Sequence, residues 1–584
     1  MPRSRRPVRA TTSLLATAAL ACVGLPLAVS PAGGAVVPDP VTVSADGAAL
    51  SLTPLSTYAT GIFDESAAEI VAHHPGSERL FVVNASELVV DVLDLSDAAA
   101  PGKLFAIAAT GLTDAEGDVI PEGAVPNSVT VRQDGLGVIA LEHPTKTDLG
   151  WLVFFDATQG GAPLGAVRVG ALPDMVALSP DGRYAVVANE GEPNDDYTVD
   201  PEGSVGVVSL PKKVRAPGQD AVRIADFHRF EEDGGKELDE DVRVFAGLED
   251  AENPVSANLE PEYVAVDRKS RKAYVALQEA NATAVVDLRR AKVQDIWALG
   301  SKDHGLEGNG LDPSDRDDEI DIETVEGLKG VYMPDGMNIY RSRSKEFLVT
   351  ANEGDAREWG DYVENVRVKD LGEDGLAPIC EDSPLAGRTD DADLGRLNIS
   401  IASGPGAEGC YEELHAFGGR SFSIWTTDGT LVFDSGDELE QVVAEAVPDF
   451  FNSNHSESNS EGRSDDKGPE PENLAIGTIR KRTYAFIGLE RVGGVMVYDI
   501  TRPRKSEFVT YVNNRDFSVS MEDVVEEGVE DPAEALDRAG DLGPEGLAFV
   551  KAKDSPTGTP LLLVGNEVSG TTTVFSVDLL DDRR

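Results

Sequence analysis

The chain has 584 residues, with 104 Asp or Glu, 51 Lys or Arg and a formal net charge of −53. Hydrophobic residues make up 41%, which is enough for a large core and excludes a globally disordered chain. Because phosphate backbones need cationic partners, this acidity argues against a general nucleic-acid binder. The charge suits a soluble secreted protein or one that collects cations.

The N-terminus predicts a secretory signal peptide over residues 1–35, followed by a linker over residues 36–49. Four arginines precede an apolar run at residues 11–29, and Gly33-Gly34-Ala35 offers small residues for cleavage. No later apolar stretch reaches the ~20 residues that span a bilayer, and the polar C-terminal residues carry no visible anchor. We therefore expect secretion after cleavage, without a transmembrane segment and with no evident surface attachment.

Cys380 and Cys410 remain after cleavage. In an oxidising compartment a disulfide is the first interpretation of a single pair. Two free thiols or a metal pair are the alternatives.

Seven related segments predict the second strands of a repeated unit, since each is a β-branched and aromatic run that ends in an acid. They are Arg79–Glu87, Leu136–Glu142, Arg183–Glu190, Lys272–Glu279, Glu346–Glu353, Thr483–Glu490 and Pro560–Glu567. Most are preceded by a short strand that begins with Pro and Asp, Glu or Asn, and most are followed by two further apolar runs.

Four short strands repeated seven times predict an all-β fold, a seven-bladed β-propeller over residues 50–580. The seventh unit stops after its third strand, while an unassigned strand-like run, Leu50–Thr60, precedes the first unit. If that run is the missing outer strand, the ring closes without an open edge. Two independent sandwich domains are the alternative.

The long insertions predict one elaborated face. They all fall between second and third strands or between blades, which places them on the same face, and the longest lies at about 354–414. Short basic hairpins, such as Arg268-Lys269 and Arg480-Lys-Arg482, fall on the opposite face. The basic hairpins are either solvated turns or a binding patch for anionic cell-wall polymers.

The repeated acids predict a ring at the channel mouth on the elaborated face, because innermost strands start there and second strands end there. Crowded carboxylates repel unless a cation, proton or basic side chain intervenes, and hard oxygen ligands suit Ca²⁺ or another divalent metal. The alternative is structural capping of strand ends. The predicted metal ligands of the ring are Glu69, Asp174, Glu262, Asp335, Glu353, Glu472 and Glu545.

A second candidate calcium site is the acidic loop that contains Asp312, Asp315 and Asp317. Its alternating acids resemble a calcium loop, although the glycine of an EF-hand is missing. A disordered acidic loop is the alternative. The seven histidines show no metal-ligand spacing, which argues against zinc.

Arg463 and Lys467 lie just before the sixth innermost strand, among the predicted mouth acids. One interpretation is that they form salt bridges with neighbouring carboxylates. The other is an anion clamp, in which these two cations and a metal together hold a phosphate.

Several long motifs resemble the choice-of-anchor I domain family, which is related to a mesenchyme-specific cell-surface glycoprotein of biomineralising cells. They are residues 61–71, 81–85, 333–335, 350–357 and 463–472, and the resemblance covers about residues 50–580. It implies a secreted or surface propeller, and some bacterial relatives carry an alkaline-phosphatase label. The acidic mouth is also similar to that of β-propeller phytases.

Two functions follow from these patterns. The first is a secreted, calcium-binding propeller that acts as an extracellular binding or mineral-associated module. The alternative is a metal-dependent phosphoesterase that acts on phosphate esters, with Arg463 and Lys467 as the phosphate clamp.

Overall fold

The computed structural model describes residues 33–34, 36–245, 254–360, 362–402, 404–528 and 530–580. Apart from Gly33–Gly34, the predicted signal peptide of residues 1–35 lies outside the described residues. Within the described ranges, no helix is both long and apolar enough to cross a bilayer.

Seven antiparallel sheets, here called blades 1 to 7, form in chain order within the described ranges. Blade 1 comprises Val71–His74, Arg79–Asn84, Val89–Asp94 and Gly102–Ala108. Blade 2 comprises Val125–Val131, Leu136–Glu142, Leu149–Asp156 and Gly165–Ala171. Blade 3 comprises Pro173–Leu178, Tyr184–Asn189, Ser204–Ser209 and Val222–Ala225. Blade 4 comprises Pro261–Val266, Lys272–Leu277, Ala282–Asp287 and Lys292–Ala298.

The last three blades draw strands from distant parts of the chain. Blade 5 comprises Met337–Ser342, Lys345–Asn352, Ser421–Thr426 and Leu431–Asp434. Blade 6 comprises Pro471–Ile479, Arg482–Leu489, Val495–Asp499, Glu507–Asn513 and Val41–Ser44. Blade 7 comprises Pro544–Val550, Leu561–Asn566, Thr571–Leu579, Leu50–Ala59 and Gly33–Gly34.

The blades are arranged in a closed ring. The first strand of each blade contacts the first strands of its two neighbours, and that of blade 7 contacts that of blade 1. Leu50–Ala59 pairs antiparallel with Thr571–Leu579 and so supplies the outer strand of blade 7. The predictions of an all-β propeller and of an N-terminal closing strand are confirmed.

The predicted linker of residues 36–49 is more ordered than expected. Val41–Ser44 pairs with residues 510–513 of the outermost strand of blade 6. Its alternation of half-buried valine with an exposed hydroxyl residue suits an edge strand. This segment is therefore part of a blade and not only a connector.

Apolar side chains fill the spaces between neighbouring blades. Between blades 3 and 4, for example, Val186, Val207 and Val275 are fully buried in one cluster. Each fully buried aliphatic side chain stabilises the fold by about 1.5–3 kcal/mol relative to exposure. The second strands are almost wholly buried, which explains why their sequences repeat so clearly.

The long insertions contain elements that the repeat pattern does not predict. A five-stranded satellite sheet joins strands of two insertions, and its order is Ser301–Asp303, Leu328–Val331, Leu414–Phe417, Asn398–Ser400 and Asn365–Arg367. A separate hairpin pairs Glu358–Trp359 with Tyr362–Val363. Helices α1, α2 and α3 span Glu438–Ala446, Met521–Glu527 and Pro532–Ala539. Single 3₁₀ turns occur at Gln219–Ala221, His228–Phe230, Val255–Ala257, Val368–Asp370, Pro448–Phe450 and Pro503–Lys505.

A disulfide joins Cys380 and Cys410 within the insertion of residues 354–414, as the sequence predicted. The bond lies next to a small apolar cluster that includes Leu385, Leu394 and Tyr411. The disulfide therefore cross-links an insertion whose own strands are only two or three residues long.

Candidate functional site

A recurring β-bulge marks the start of the innermost strands. In blades 2, 3, 4, 6 and 7 the pairing with the second strand shifts register directly after the proline of the Pro-acid or Pro-Asn pair. Proline has no N–H to donate to the ladder, and a bulge re-aims the next side chain. This local geometry explains why that pair, rather than an acid alone, recurs at the mouth.

The acids of different blades lie close enough to perturb one another. Burial raises the pKa of Glu472 well above its usual range, and repulsion from Glu353 and Glu490 adds to the shift. Burial likewise raises the pKa of Glu545, with repulsion from Glu69 and Glu567. The structure therefore brings ring acids of blades 1, 5, 6 and 7 to one place, the channel mouth.

The ring extends across the other blades. Burial and repulsion from Glu353 raise the pKa of Asp335, and repulsion from Asp174 adds to the shift. Burial and Glu192 raise the pKa of Asp174 to about 7. Burial and Glu279 raise the pKa of Glu262. All seven predicted ring ligands thus belong to one electrostatically connected set.

Among the residues that the structure describes, three groups at the mouth place one ligand atom from each member within 4.8 Å of the others. The first is Glu353, Glu472 and Glu490, and the second is Glu69, Glu545 and Glu567. The third adds a nitrogen ligand, because His455 joins Glu490 and Glu567. Glu490 and Glu567 each belong to two groups, so the three candidate sites are contiguous along one arc of the mouth.

Several buried carboxylate oxygens at the mouth have no hydrogen-bond partner among the described residues. Glu262 is 7% exposed and Glu279 is 4% exposed, and the Oε2 atom of each is buried and unpartnered. The same holds for the Oε2 atoms of Glu472 and Glu545. Leaving a buried polar group unsatisfied costs about 1–3 kcal/mol, and more when it is charged. A bound cation would remove this cost.

Arg463 and Lys467 are ion-paired inside the same region. Arg463 Nη2 lies 2.6 Å from Glu470 Oε1 and 2.8 Å from Asp466 Oδ2. Lys467 Nζ lies 2.7 Å from Glu353 Oε1 and 3.0 Å from Glu470 Oε2. Burial opposes ionisation of Glu470, but Lys467 and then Arg463 hold its pKa below the usual range. The salt-bridge interpretation of these two cations matches this arrangement, while the phosphate clamp stays a prediction.

The acidic loop of the second candidate site is arranged differently. Asp312 is fully buried, and its two oxygens accept from the backbone N–H groups of Ser314 and Asp321, each at 3.3 Å. Asp315 pairs with Arg396 at 2.9 Å, and Asp317 accepts from the Glu319 N–H at 3.3 Å. The three clustered groups described above do not include these acids. A metal at this loop stays a prediction.

Glu470, Arg491 and His455 had no assigned role in the sequence analysis. Glu470 is fully buried and holds Arg463, Lys467 and Arg491 together. Arg491 also donates to His455 Nδ1 at 2.8 Å. Their positions in the sequence could have indicated a role at the mouth, because Arg491 directly follows a ring acid and His455 lies in an insertion of the elaborated face.

A family profile and two known proteins match parts of the sequence. The profile of the choice-of-anchor I domain matches residues 69–503. Gigasin-3a of Magallana gigas is 31% identical over 208 residues, which cover 33% of this chain and 67% of that protein. The mesenchyme-specific cell surface glycoprotein of Strongylocentrotus purpuratus is 30% identical over 276 residues, which cover 42% of this chain and 35% of that protein. The match thus spans about a third of the sea-urchin protein.

Solved structures show more distant likeness. Kuenenia stuttgartiensis hydrazine synthase is 13% identical with a TM-score of 0.41, and the match covers 88% of this chain and 96% of that chain. The β-propeller domain of Myceliophteria thermophila Cps50 (Swd1) is 8% identical with a TM-score of 0.39, and the match covers 90% and 99%. Neither likeness bears on the chemistry of the mouth. The family profile spans most of the propeller, and the chain therefore belongs to the choice-of-anchor I domain family.

Proposed function

We propose that the protein is an extracellular, calcium-binding β-propeller whose channel mouth holds the cation. Family membership and the propeller fold support an extracellular-type module. The name of the sea-urchin relative places that protein on a cell surface, which supports a secreted or surface location here as well. In this proposal the module binds other matrix or mineral components through calcium.

The observation that carries the proposal is the cluster of Glu353, Glu472 and Glu490. One carboxylate oxygen from each lies within 4.8 Å of the others, and Glu472 Oε2 has no hydrogen-bond partner among the described residues. Burial and mutual repulsion both favour protonation of Glu472 when no cation is bound. A divalent ion would favour the charged form and convert this repulsion into binding energy.

Calcium fits the donor set better than other divalent ions. It accepts six to eight oxygens at about 2.3–2.6 Å in variable geometry, whereas Mg²⁺ demands a near-ideal octahedron. The neighbouring carboxylates of Glu69, Glu545 and Glu567 could supply further oxygens or a second ion. The nitrogen of His455 would suit a borderline transition metal, so this part of the mouth is where another divalent metal would compete.

Direct metal binding tests the proposal. The protein is dialysed against chelator, titrated with Ca²⁺ by calorimetry and compared with Glu472→Gln. We expect at least about tenfold weaker binding in the variant, which corresponds to about 1.4 kcal/mol. Glu534→Gln, an exposed glutamate on α3, is the matched control and should bind as the wild type does. A wild type that binds no calcium would rule the proposal out.

The phosphoesterase alternative rests on Arg463 and Lys467. Their charges are already matched by Glu470, Asp466 and Glu353, so a phosphate would have to displace buried ion pairs. Assays with p-nitrophenyl phosphate and phytate, with calcium and after chelation, separate the two functions. Calcium-dependent hydrolysis that is lost in Arg463→Ala, in a protein shown to remain folded, would favour the enzyme.

A further inference from the structure

The face opposite the channel mouth carries cations at the tips of three neighbouring inner hairpins. These hairpins join the first and second strands of blades 4, 5 and 6. The exposed cations on them are Arg268, Lys269, Arg341, Arg343, Arg480 and Lys481, here called the inner-hairpin cations. They stand out in a chain whose net charge is −53.

The three hairpins form one continuous surface. The first strands of blades 4, 5 and 6 contact one another in order. The Arg268 N–H also donates to Glu346 Oε1 of blade 5 at 3.2 Å, which fixes the hairpin of blade 4 against the next blade. Beside Arg480, a groove between blades 6 and 7 has a volume of about 600 Å³ and is also lined by Lys551 and Lys553.

The inner-hairpin cations form no salt bridge with any described carboxylate. Four acids of blades 4 and 6 on the same face have other partners. Asp267 is buried and accepts from backbone N–H groups, while Asp287, Asp499 and Glu507 pair with arginines outside this set. The positive charge of the inner hairpins is therefore available to a partner.

The turn geometry makes these cations unexpected on structural grounds. Arg343, Arg480 and Lys481 have φ values of 56°, 46° and 74°. Asn and Gly are strongly preferred at such positions of tight hairpins, and a larger side chain there is strained. Cations at three such positions favour a functional role over simple turn formation.

We infer that this face docks on a linear anionic polysaccharide. Six charges spread over three hairpin tips exceed what one small anion can contact, but a flexible polymer with repeated carboxylate, sulfate or phosphate groups can follow them. The exposed large hydrophobic residues of the described chain include no aromatic side chain, so the base stacking used by single-stranded nucleic acids lacks a platform. A rigid duplex would also meet repulsion from the strongly acidic remainder of the surface. This inference does not depend on calcium binding at the mouth.

The test measures binding of the full chain to immobilised dextran sulfate, with neutral dextran as the reference, in EDTA and at several salt concentrations. The hairpin variant combines Arg343→Asn, Arg480→Asn and Lys481→Gly, which suit the positive φ values and should preserve the fold. The matched control removes three cations of the insertion face, the exposed Arg316 and Arg538 and the half-buried Lys369, by Arg316→Gln, Lys369→Gln and Arg538→Gln.

We expect the hairpin variant to bind about tenfold or more weakly at low salt, with its log–log salt slope smaller by about 2, as for the loss of three contacts to a single-stranded polyanion. The control should stay within about twofold of the wild type, because its cations lie on the other face. Equal loss in both variants, equal binding to neutral dextran, or no binding by the wild type would overturn the inference. So would binding that requires calcium, or binding to duplex DNA with dextran sulfate inert.

Discussion

Replacing Lys467 by methionine tests whether its ammonium group and a calcium ion use the same carboxylates. Lys467 Nζ lies 2.7 Å from Glu353 Oε1 and 3.0 Å from Glu470 Oε2, and it donates to the Gly354 carbonyl at 2.6 Å. The side chains of Lys467 and Glu353 are each 12% exposed, so solvent screens this pair weakly. The ammonium group thus occupies one side of the proposed calcium cluster.

Removing one partner of a buried ion pair costs about 3–5 kcal/mol. Glu470 keeps Arg463 and Arg491, so the unpaired charge falls mainly on Glu353. In chelator we expect the free energy of unfolding of Lys467→Met to drop by that amount. At one free calcium concentration, mass action stabilises the wild type as well as the variant, so the loss shrinks only to the extent that the freed Glu353 tightens calcium binding. We expect about a tenfold gain in affinity, which would make the loss in saturating calcium smaller by about 1.4 kcal/mol.

Urea unfolding followed by tryptophan fluorescence, in EDTA and in saturating calcium, measures both values. Lys369→Met is the control, because its pair with Asp391 is solvent-exposed and should contribute at most about 1 kcal/mol in either buffer. An equal loss for Lys467→Met with and without calcium would refute the idea that the ion and the ammonium group share ligands.

The remaining predictions concern the ring, the insertion and the clamp. Burial and repulsion raise the folded-state pKa of Glu567 to about 8 and that of Asp174 to about 7. Without calcium, the native state therefore binds more protons than the unfolded chain, and the Tm should fall as the pH rises from about 5 to 8. Saturating calcium should flatten that profile, and a Tm that instead rises in chelator would contradict the sign. The double variant Cys380→Ser and Cys410→Ser removes the disulfide between residues 30 apart, so its free energy of unfolding should fall by about 3–4 kcal/mol. Urea unfolding measures this loss, and the reduced wild type should show the same loss. Arg463→Ala should lower the free energy of unfolding by about 3–5 kcal/mol, because it breaks the pair with buried Glu470. The control Arg538→Ala removes an exposed pair and should change that free energy by under about 1 kcal/mol. An unchanged free energy of unfolding in Arg463→Ala would show that the buried pair does not stabilise the fold.

The blades could be predicted because each strand carries its own signal. The second strands are buried on both faces, and an acid stands at or just after their ends, so Tyr184–Asn189 and Leu561–Asn566 are recognisable as copies of one unit. The closing strand was also predictable, since a unit lacking its fourth strand must be completed by another part of the chain. The ring of acids followed from strand direction alone.

The satellite sheet could not be predicted in the same way. One of its strand pairs is parallel and joins Leu328–Val331 to Leu414–Phe417, with two strands of blade 5 and most of an insertion between them in sequence. Short strands of three or four residues carry too little periodicity to reveal such pairing. The partners of Arg463 and Lys467 could not be predicted either, because a loop sequence shows which residues are charged but not the direction in which a side chain points.

Closure of the ring by Leu50–Ala59 also sets an order of events in folding. This strand pairs with Thr571–Leu579, and the two hydroxyls of Thr57 and Thr573 are in contact although 516 residues separate them in sequence. During synthesis or export from the N-terminus, an early strand must therefore wait for one of the last before its edge is covered. Contacts of such sequence separation form slowly, and uncovered strand edges invite association with other chains. A chaperone that shields this strand until the chain is complete would raise the yield of folded protein more than one that acts on the middle blades.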